Sequence, residues 1–180
     1  MTTILNITSD CMQEMMNSGI RTSQCLKIMK SFRLLFQKRI ELTYKYEDIN
    51  LSHTISLMQH NVEIGYFMIG RNENTYTLNI SVEDEFQNMG FSRLMVAAMI
   101  LYLNTETNLN IRYDQLLFID TDASWRNGKS FWDSIGMTEC RFYKLERDAI
   151  RANTQIDGVG YEKQITYTDL SKWALGVPCR

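Results

Sequence analysis

The feature that most constrains the fold is an uninterrupted apolar run of ten residues at positions 94–103. A membrane-spanning helix needs about 20 apolar residues, so this run predicts a helix buried in a globular core. The predicted helix covers 91–104, and because its apolar side chains lie nearly all round, neighbours must cover more than one side. The chain therefore has to supply a sheet or further helices that enclose it.

Four short segments rich in β-branched and aromatic residues predict strands. Three of them are separated only by short polar turns, and consecutive strands with such connections pair antiparallel. The fourth is continuously apolar, which is typical of a strand buried on both faces. These segments are 54–58, 62–70, 75–82 and 116–119.

The two ends of the chain add further predicted elements. A strand is predicted at 2–8, and the pattern from Asp10 to Gln13 fits a capping box that opens a helix reaching about Ser18. Apolar residues at mixed three- and four-residue steps predict an amphipathic helix over 23–42. Later segments predict a helix at 129–135 and strands at 139–145 and 162–168. The predicted fold class is α+β, with helices packed on a largely antiparallel sheet.

Composition excludes several classes of function. A chain of 180 residues is long enough for one domain with its own core, which we predict to cover 1–180. Its net charge of −2 argues against binding nucleic acid through bulk electrostatics. Four widely separated cysteines and two histidines predict neither a metal site nor a Ser-His-Asp triad. No basic residue precedes an apolar stretch at the N-terminus, so we expect a soluble, cytoplasmic protein without a membrane partner.

The junction between the third strand of the meander and the apolar helix is the most informative segment. A strand ends at Val82, a loop follows, and the helix opens near Phe91 between the small residues Gly90 and Ser92. The N-terminus of a helix exposes unpaired amides and the positive end of its dipole, which together attract anions. Small residues also let a diphosphate approach the backbone closely. By itself this short pattern is a weak signal, because Gly90 could simply be a turn residue.

This junction resembles motif A of the GCN5-related N-acetyltransferases, the GNAT superfamily. The matching residues are Val82, four residues, and then Gln87-Asn-Met-Gly90-Phe-Ser92, with serine where the family has glycine or alanine. Downstream, Phe131-Trp132-Asp-Ser-Ile-Gly136-Met137 looks like the end of the family's motif B. The resemblance is clearest over 54–145.

The resemblance implies that acetyl-CoA is the cosubstrate. It implies a sheet splayed between the fourth and fifth predicted strands, 75–82 and 116–119, with helices on both faces. The loop amides would bind the pyrophosphate, and the strand edge would pair with the pantetheine and polarise the acetyl carbonyl. The implied cofactor-binding residues are Ile80, Val82, Gln87, Asn88, Met89, Gly90, Phe91, Ser92 and Arg93.

The resemblance also implies direct acetyl transfer to an amine in a ternary complex. The acceptor would be an amine of a small molecule or of a protein, and a homodimer is left open. The net charge of −2 predicts no nucleic-acid partner. The acetyl-CoA-binding core would cover 54–145, after an N-terminal strand and helices in 1–50 and before a C-terminal strand region in 146–180.

The catalytic residues are less well defined. Trp132 stands where the family often has a tyrosine that serves as the general acid, and an indole is a poorer proton donor. Tyr143 and Ser124 are weaker alternatives for that role. For the base we favour Glu83, the first of three acidic residues after the strand, because a carboxylate there could accept a proton from an ammonium group. We expect His53 and His60 at the surface or in strand turns, with a base role as a minor alternative.

Two other functions stay open. Because Trp132 replaces the usual tyrosine, the domain could bind acyl-CoA as a sensor or interaction module without catalysis. Residues 123–130 also fit the loose phosphate-loop pattern of NTPases, with Lys129 on the phosphates and Ser130 on magnesium. No apolar strand ending in aspartate follows that pattern, and a parallel sheet is not predicted, so this alternative is the weaker one.

Overall fold

The computed structural model describes residues 2–4, 23–49, 51–72, 75–106, 111–112, 114–120, 129–140, 152 and 161–176. The described strands are β1 (Thr2–Ile4), β2 (Ile40–Glu47), β3 (Ser52–Gln59), β4 (Val62–Asn72), β5 (Thr75–Val82), β6 (Leu116–Asp120), β7 (Thr138–Glu139) and β8 (Tyr161–Thr166). The described helices are α1 (Ser23–Lys38), α2 (Phe91–Glu106), α3 (Lys129–Ser134) and α4 (Tyr167–Leu175), and a 3-10 turn covers Asp84–Phe86.

The strands form one sheet in the order β1-β2-β3-β4-β5-β6-β8-β7. All neighbouring pairs are antiparallel except β5 and β6, which are parallel. The connections explain this pattern, because short turns join β2 through β5, whereas the connection from β5 to β6 runs through α2. The predicted α+β class with a largely antiparallel sheet is confirmed.

Buried side chains from one face of the sheet and from the helices form one large cluster. α2 lies inside it, and Met95, Met99 and Ile100 have no exposed surface. The prediction of a helix buried on several sides is confirmed. Helices are predicted on both faces of the sheet, whereas the described helices all contribute side chains to this one cluster. None of the described helices is long and apolar enough to span a membrane.

The prediction of a helix over 23–42 is wrong at its C-terminal end. α1 ends at Lys38, Arg39 has a φ of +55°, and the chain continues directly into β2. β2 pairs with β3 along its whole length and also with β1. Because both edges of β2 make backbone hydrogen bonds, and because Leu42 and Tyr44 face the core on alternate positions, strand pairing overrides the helical spacing.

The C-terminal region contains a helix that the sequence analysis missed. A strand is predicted over 162–168, but β8 ends at Thr166 and α4 follows immediately. The Thr166 hydroxyl accepts a hydrogen bond of 3.1 Å from the Asp169 amide, and Gly176 ends the helix with a φ of +82°. The prediction that 146–180 is a strand region is therefore wrong for the last part of the described chain.

Three predicted elements extend beyond the described residues. Of the strand predicted at 2–8, the structure describes Thr2–Ile4, and the helix predicted from Asp10 to Ser18 lies outside the described residues. Of the strand predicted at 139–145, the structure describes residues 139 and 140, and only Glu139 belongs to a strand, β7.

Candidate functional site

The sheet opens between its two parallel strands. β5 and β6 pair only over the first half of β5, through Tyr76–Leu117, Thr77–Phe118 and Leu78–Ile119. β5 continues for four more residues to Val82, and no described residue of β6 pairs with that second half. The described parts of these two strands separate after Leu78, as the predicted splay requires, and no described residue pairs with the second half of the β5 edge on this side.

The backbone of Ile80 faces this opening. The Glu83 amide donates a hydrogen bond of 3.0 Å to the Ile64 carbonyl on the β4 side. Backbone groups alternate between the two edges of a strand, so those of Ile80 and Val82 point to the β6 side. The Val82 carbonyl is already occupied by the side chain of Gln87, at 3.1 Å. Ile80 therefore offers the one amide and carbonyl pair that the described part of β6 leaves unmatched here.

A compact turn connects β5 to the loop before α2. It is a single 3-10 turn over Asp84–Phe86, and the buried ring of Phe86 anchors it in the core. The side-chain amide of Gln87 donates to the Val82 carbonyl and to Asp84 Oδ1, the latter at 2.8 Å. Because both side-chain amide hydrogens are used within the turn, the Gln87 side chain braces the loop. The Gln87 backbone amide is also used there, since it donates a hydrogen bond of 3.2 Å to the Asp84 carbonyl.

Gly90 caps the N-terminus of α2. Its carbonyl accepts the first helical hydrogen bond, 3.1 Å from the Leu94 amide, and its φ is +80°. Among the described residues, none accepts a hydrogen bond from the amides of Phe91, Ser92 or Arg93. The first turn of α2 also contains no acidic side chain. This helix end therefore presents unpaired amides and a positive dipole end directly after the open edge of β5.

α1 packs against this loop from the core side. Ser31, which is 3% exposed, donates a hydrogen bond of 2.9 Å from its hydroxyl to the Met89 carbonyl. A Cβ on Gly90 would lie only 2.3 Å from Ser31 Oγ, so the close contact between helix and loop requires glycine. The loop is thus fixed on both sides, by Gln87 within the turn and by Ser31 from α1.

Several of the predicted cofactor-binding residues turn their side chains away from the loop surface. Phe91 is buried in the core, and Met89 packs against it. The Arg93 guanidinium donates to the Trp173 carbonyl and lies 4.1 Å from the centroid of the Trp173 ring. Burial lowers the pKa of Arg93 from its ordinary value. These three residues offer their backbone, not their side chains, to a ligand at this loop.

The acidic residues after β5 are exposed. The Glu83 side chain makes no hydrogen bond that caps the 3-10 turn, whereas the Asp84 carboxylate accepts one from Gln87. Glu83 follows Val82 directly in sequence, whereas Glu85 lies within the 3-10 turn. Its role as a base stays a prediction.

Trp132 occupies a core position. It is 3% exposed, and its ring makes an edge-to-face contact with Phe131 at 5.1 Å between centroids. Phe131 in turn meets Trp173 of α4 at 5.8 Å. Trp132 is thus a buried aromatic residue that packs α3 against the core. The other predicted acids, Tyr143 and Ser124, lie outside the described residues, as do residues 123–128 of the phosphate-loop pattern.

The prediction that His53 lies at the surface is wrong. His53 is 4% exposed, its Nδ1 is 2.7 Å from the Tyr44 hydroxyl, and its ring lies 4.7 Å from that of Tyr46. Its Nε2 is buried without a hydrogen-bond partner among the described residues. Burial lowers the pKa of His53, and burial together with Tyr102 and Tyr46 raises the pKa of Tyr44 to about 12.

The sequence contains a pattern that indicates this buried cluster. Tyr44 and Tyr46 have the two-residue spacing of one strand face, and that spacing is visible only once 40–47 is recognised as a strand. His60 lies at the exposed turn between β3 and β4, with a φ of +51°, as expected.

Comparison with known proteins gives structural neighbours only. No protein-family model matches the sequence, and a search of curated proteins gives no significant match. The structural neighbours are consistently N-acetyltransferases of the GNAT superfamily. A GNAT-family protein from Desulfovibrio desulfuricans is 15% identical, with a TM-score of 0.44, and the alignment covers 92% of this chain and 98% of that one.

Two further neighbours are named enzymes. The PaiA N-acetyltransferase from Thermoplasma acidophilum, in complex with coenzyme A, is 10% identical with a TM-score of 0.41, covering 93% of this chain and 99% of that one. The ribosomal-protein-S18-alanine N-acetyltransferase from Escherichia coli is 14% identical with a TM-score of 0.38, covering 91% and 90%. Because identities and TM-scores are both low, the assignment of function depends on the residues of this chain.

Proposed function

We propose that this chain transfers an acetyl group from acetyl-CoA to an amine, within one domain that spans 1–180. The observation that carries the proposal is the continuity of two features. The edge of β5 that no described residue of β6 pairs with runs through one short turn into the N-terminus of α2, whose first amides have no described partner. Acetyl-CoA carries groups complementary to both features in the same order. Its pantetheine arm contains two amides that can pair with a strand edge, and the pyrophosphate that follows can bind a helix N-terminus.

The open edge suits the pantetheine arm. An extended amide-containing chain pairs with an unpaired strand edge by the same hydrogen bonds that join strands. The Ile80 amide and carbonyl face the opening, whereas the Val82 carbonyl is taken by Gln87. We therefore assign the main pairing with the pantetheine to Ile80, with the Val82 amide beside it.

The loop suits the pyrophosphate. The amides of Gly90, Phe91, Ser92 and Arg93 lie together at the N-terminus of a 16-residue helix with no acidic residue in its first turn. Backbone amides and the helix dipole both favour a doubly charged anion at this place. The side chains of Phe91 and Arg93 are engaged elsewhere, so binding here depends on the backbone.

The proposed reaction is direct attack by the amine on the thioester. The nitrogen forms a bond to the carbonyl carbon, the carbon–sulfur bond breaks, and the amine proton passes to the carboxylate of Glu83 directly or through water. Backbone amides at the end of β5 stabilise the charge that develops on the carbonyl oxygen. The thiolate takes up a proton from water or from Tyr143. Trp132 is excluded as the donor because it is buried in the core.

A second function is favoured by one observation. The residue at the family's tyrosine position is a buried tryptophan that fills space between α3 and the core. A domain without a general acid at this position can bind acyl-CoA without catalysing acetyl transfer. The P-loop alternative receives no such support, because β2 through β5 form an antiparallel meander.

The experiment that tests the proposal measures binding and thiol release on the same preparation. At a ligand concentration about 100 times the dissociation constant, binding stabilises the protein by about 2.7 kcal/mol, which a thermal-shift assay detects. Stabilisation by acetyl-CoA together with thiol release on an amine panel supports the enzyme. Stabilisation without release on any amine supports the binding module. If only Mg-ATP stabilises the protein, or if none of the ligands does, both the enzyme and the binding module are overturned.

A further inference from the structure

Ser31 connects two parts of the chain that are 58 residues apart in sequence. It lies in the middle of α1, and its hydroxyl is 2.9 Å from the Met89 carbonyl and 3.1 Å from the Lys27 carbonyl. The hydroxyl has one hydrogen, so the two carbonyls share it, and the shorter distance favours Met89. The contact with Lys27 is the usual one for a serine inside a helix, with the carbonyl four residues earlier. The contact with Met89 is not explained by helix geometry, and it ties α1 to the loop before α2.

This contact sets the direction of one loop amide. In a trans peptide, the carbonyl and the following N–H point in opposite directions. The Met89 carbonyl points towards α1, so the Gly90 N–H points away from α1, towards the exposed side of the loop. Gly90 itself is exposed, which leaves this N–H accessible to an anion.

The glycine is part of the same arrangement. With a φ of +80° and only 2.3 Å between its ideal Cβ and Ser31 Oγ, residue 90 cannot accept a side chain while Ser31 holds its present position. The motif glycine thus serves the packing of α1 as well as the approach of a phosphate. No feature of the loop sequence alone indicates this second requirement.

We propose that Ser31 is a positioning residue for the pyrophosphate: its hydroxyl holds the Met89–Gly90 peptide so that the Gly90 N–H faces the ligand. This inference rests on the proposed function, because it assigns the pyrophosphate of acetyl-CoA to the loop. Ser31 does not touch the ligand and acts only through the orientation of one peptide. Its effect is therefore specific for donors that contain the pyrophosphate.

The test compares two donors on one variant. Dissociation constants of acetyl-CoA and of S-acetylpantetheine, which lacks the pyrophosphate, are measured by calorimetry for wild type and Ser31→Ala. Losing the hydrogen bond that orients the amide weakens acetyl-CoA about fivefold, and it leaves S-acetylpantetheine unchanged. The matched control is Ser52→Ala, which truncates another buried serine, 2% exposed, at the start of β3. Ser52 pairs with Gly70 of β4, five residues along that strand from Gly65, the partner of Val82.

The outcomes separate this inference from the proposed function. Equal weakening of both donors, or no weakening of acetyl-CoA, overturns the role of Ser31 while acetyl-CoA binding by wild type stands. Failure of wild type to bind either donor overturns the proposed function and this inference with it. Amide NMR on the wild type gives a second readout that needs no variant. The Gly90 signal shifts with CoA and not with pantetheine, and a Gly90 signal that ignores CoA contradicts the proposal.

Discussion

Replacing Gly90 by alanine tests the packing of α1 against the loop most directly. The change adds a Cβ at a φ of +80°, which costs an L-residue about 1–2 kcal/mol in the left-handed region. The Cβ would also lie 2.3 Å from Ser31 Oγ, so the hydroxyl has to rotate away. The buried contact with the Met89 carbonyl is then lost, which adds about 1–3 kcal/mol. We expect Gly90→Ala to lower the free energy of unfolding by about 2–5 kcal/mol.

The matched control is Gly136→Ala. Gly136 also has a positive φ, +87°, but no described atom lies within 4 Å of its ideal Cβ. This variant therefore carries the backbone cost of about 1–2 kcal/mol and no steric cost. Urea unfolding of both variants separates the two terms, because the difference between them measures the contact with Ser31.

A double-mutant cycle with Ser31→Ala isolates the contact. Without Oγ, the nearest remaining atom to the added Cβ is Ser31 Cβ at 3.5 Å, which is ordinary van der Waals distance. Gly90→Ala should then cost no more than Gly136→Ala, which gives a coupling free energy of about 1–3 kcal/mol. A coupling near zero, or equal costs for the two glycines in the wild-type background, would refute the packing described above.

Three further predictions concern His53, Glu83 and Arg93. Burial lowers the pKa of folded His53 below the ordinary 6.5, so the unfolded chain binds more protons as the pH falls through about 6.5. The free energy of unfolding should fall there by up to about 1.4 kcal/mol per pH unit, levelling off below the folded pKa. The midpoint of urea unfolding should depend less on pH in His53→Gln than in the wild type. In His60→Asn, which alters an exposed histidine, the pH dependence should be unchanged. A wild-type midpoint that is constant from pH 7 to 5 contradicts this prediction. Glu83→Gln should reduce kcat/KM about 100-fold with the dissociation constant of CoA unchanged, whereas Glu85→Gln should leave both unchanged; equal rates for the two variants exclude Glu83 as the base. Arg93→Ala should lower the free energy of unfolding by about 1–3 kcal/mol, because its contacts with Trp173 are lost. The affinity for CoA should change little. A large loss of CoA affinity in a well-folded variant would show instead that the Arg93 side chain binds the ligand.

Local sequence patterns predicted the elements that carry the proposed site. The strand at Thr75–Val82 and the helix starting at Phe91 agree with the structure at the residue level. Both elements have strong local signals: a β-rich run bounded by polar turns and an apolar run opened by a small residue. For such elements local preference and tertiary packing favour the same conformation, so the sequence alone suffices.

The two wrong boundaries have different causes. Ile40 and the residues after it fit a helical spacing with α1 and also a strand spacing, and only pairing with β1 and β3 decides between them. The start of α4 had a usable local signal, Thr166 followed three residues later by Asp169, but a β-rich run immediately precedes it. That run was extended two residues too far, and boundaries are where such patterns are least informative.

The proposed site also depends on contacts that no local pattern encodes. The motif around Gly90 predicts a helix N-terminus that can bind an anion. It does not predict the direction in which each backbone N–H of the loop points. That direction comes from Ser31, 58 residues earlier and within a helix whose sequence carries no motif. The same holds for Gln87, whose side chain braces the turn instead of meeting a ligand. A motif therefore identifies the backbone that a ligand can reach, whereas the orientation of that backbone is set by residues packed behind it, which is why substitutions at Ser31 should be more informative than further substitutions within the loop.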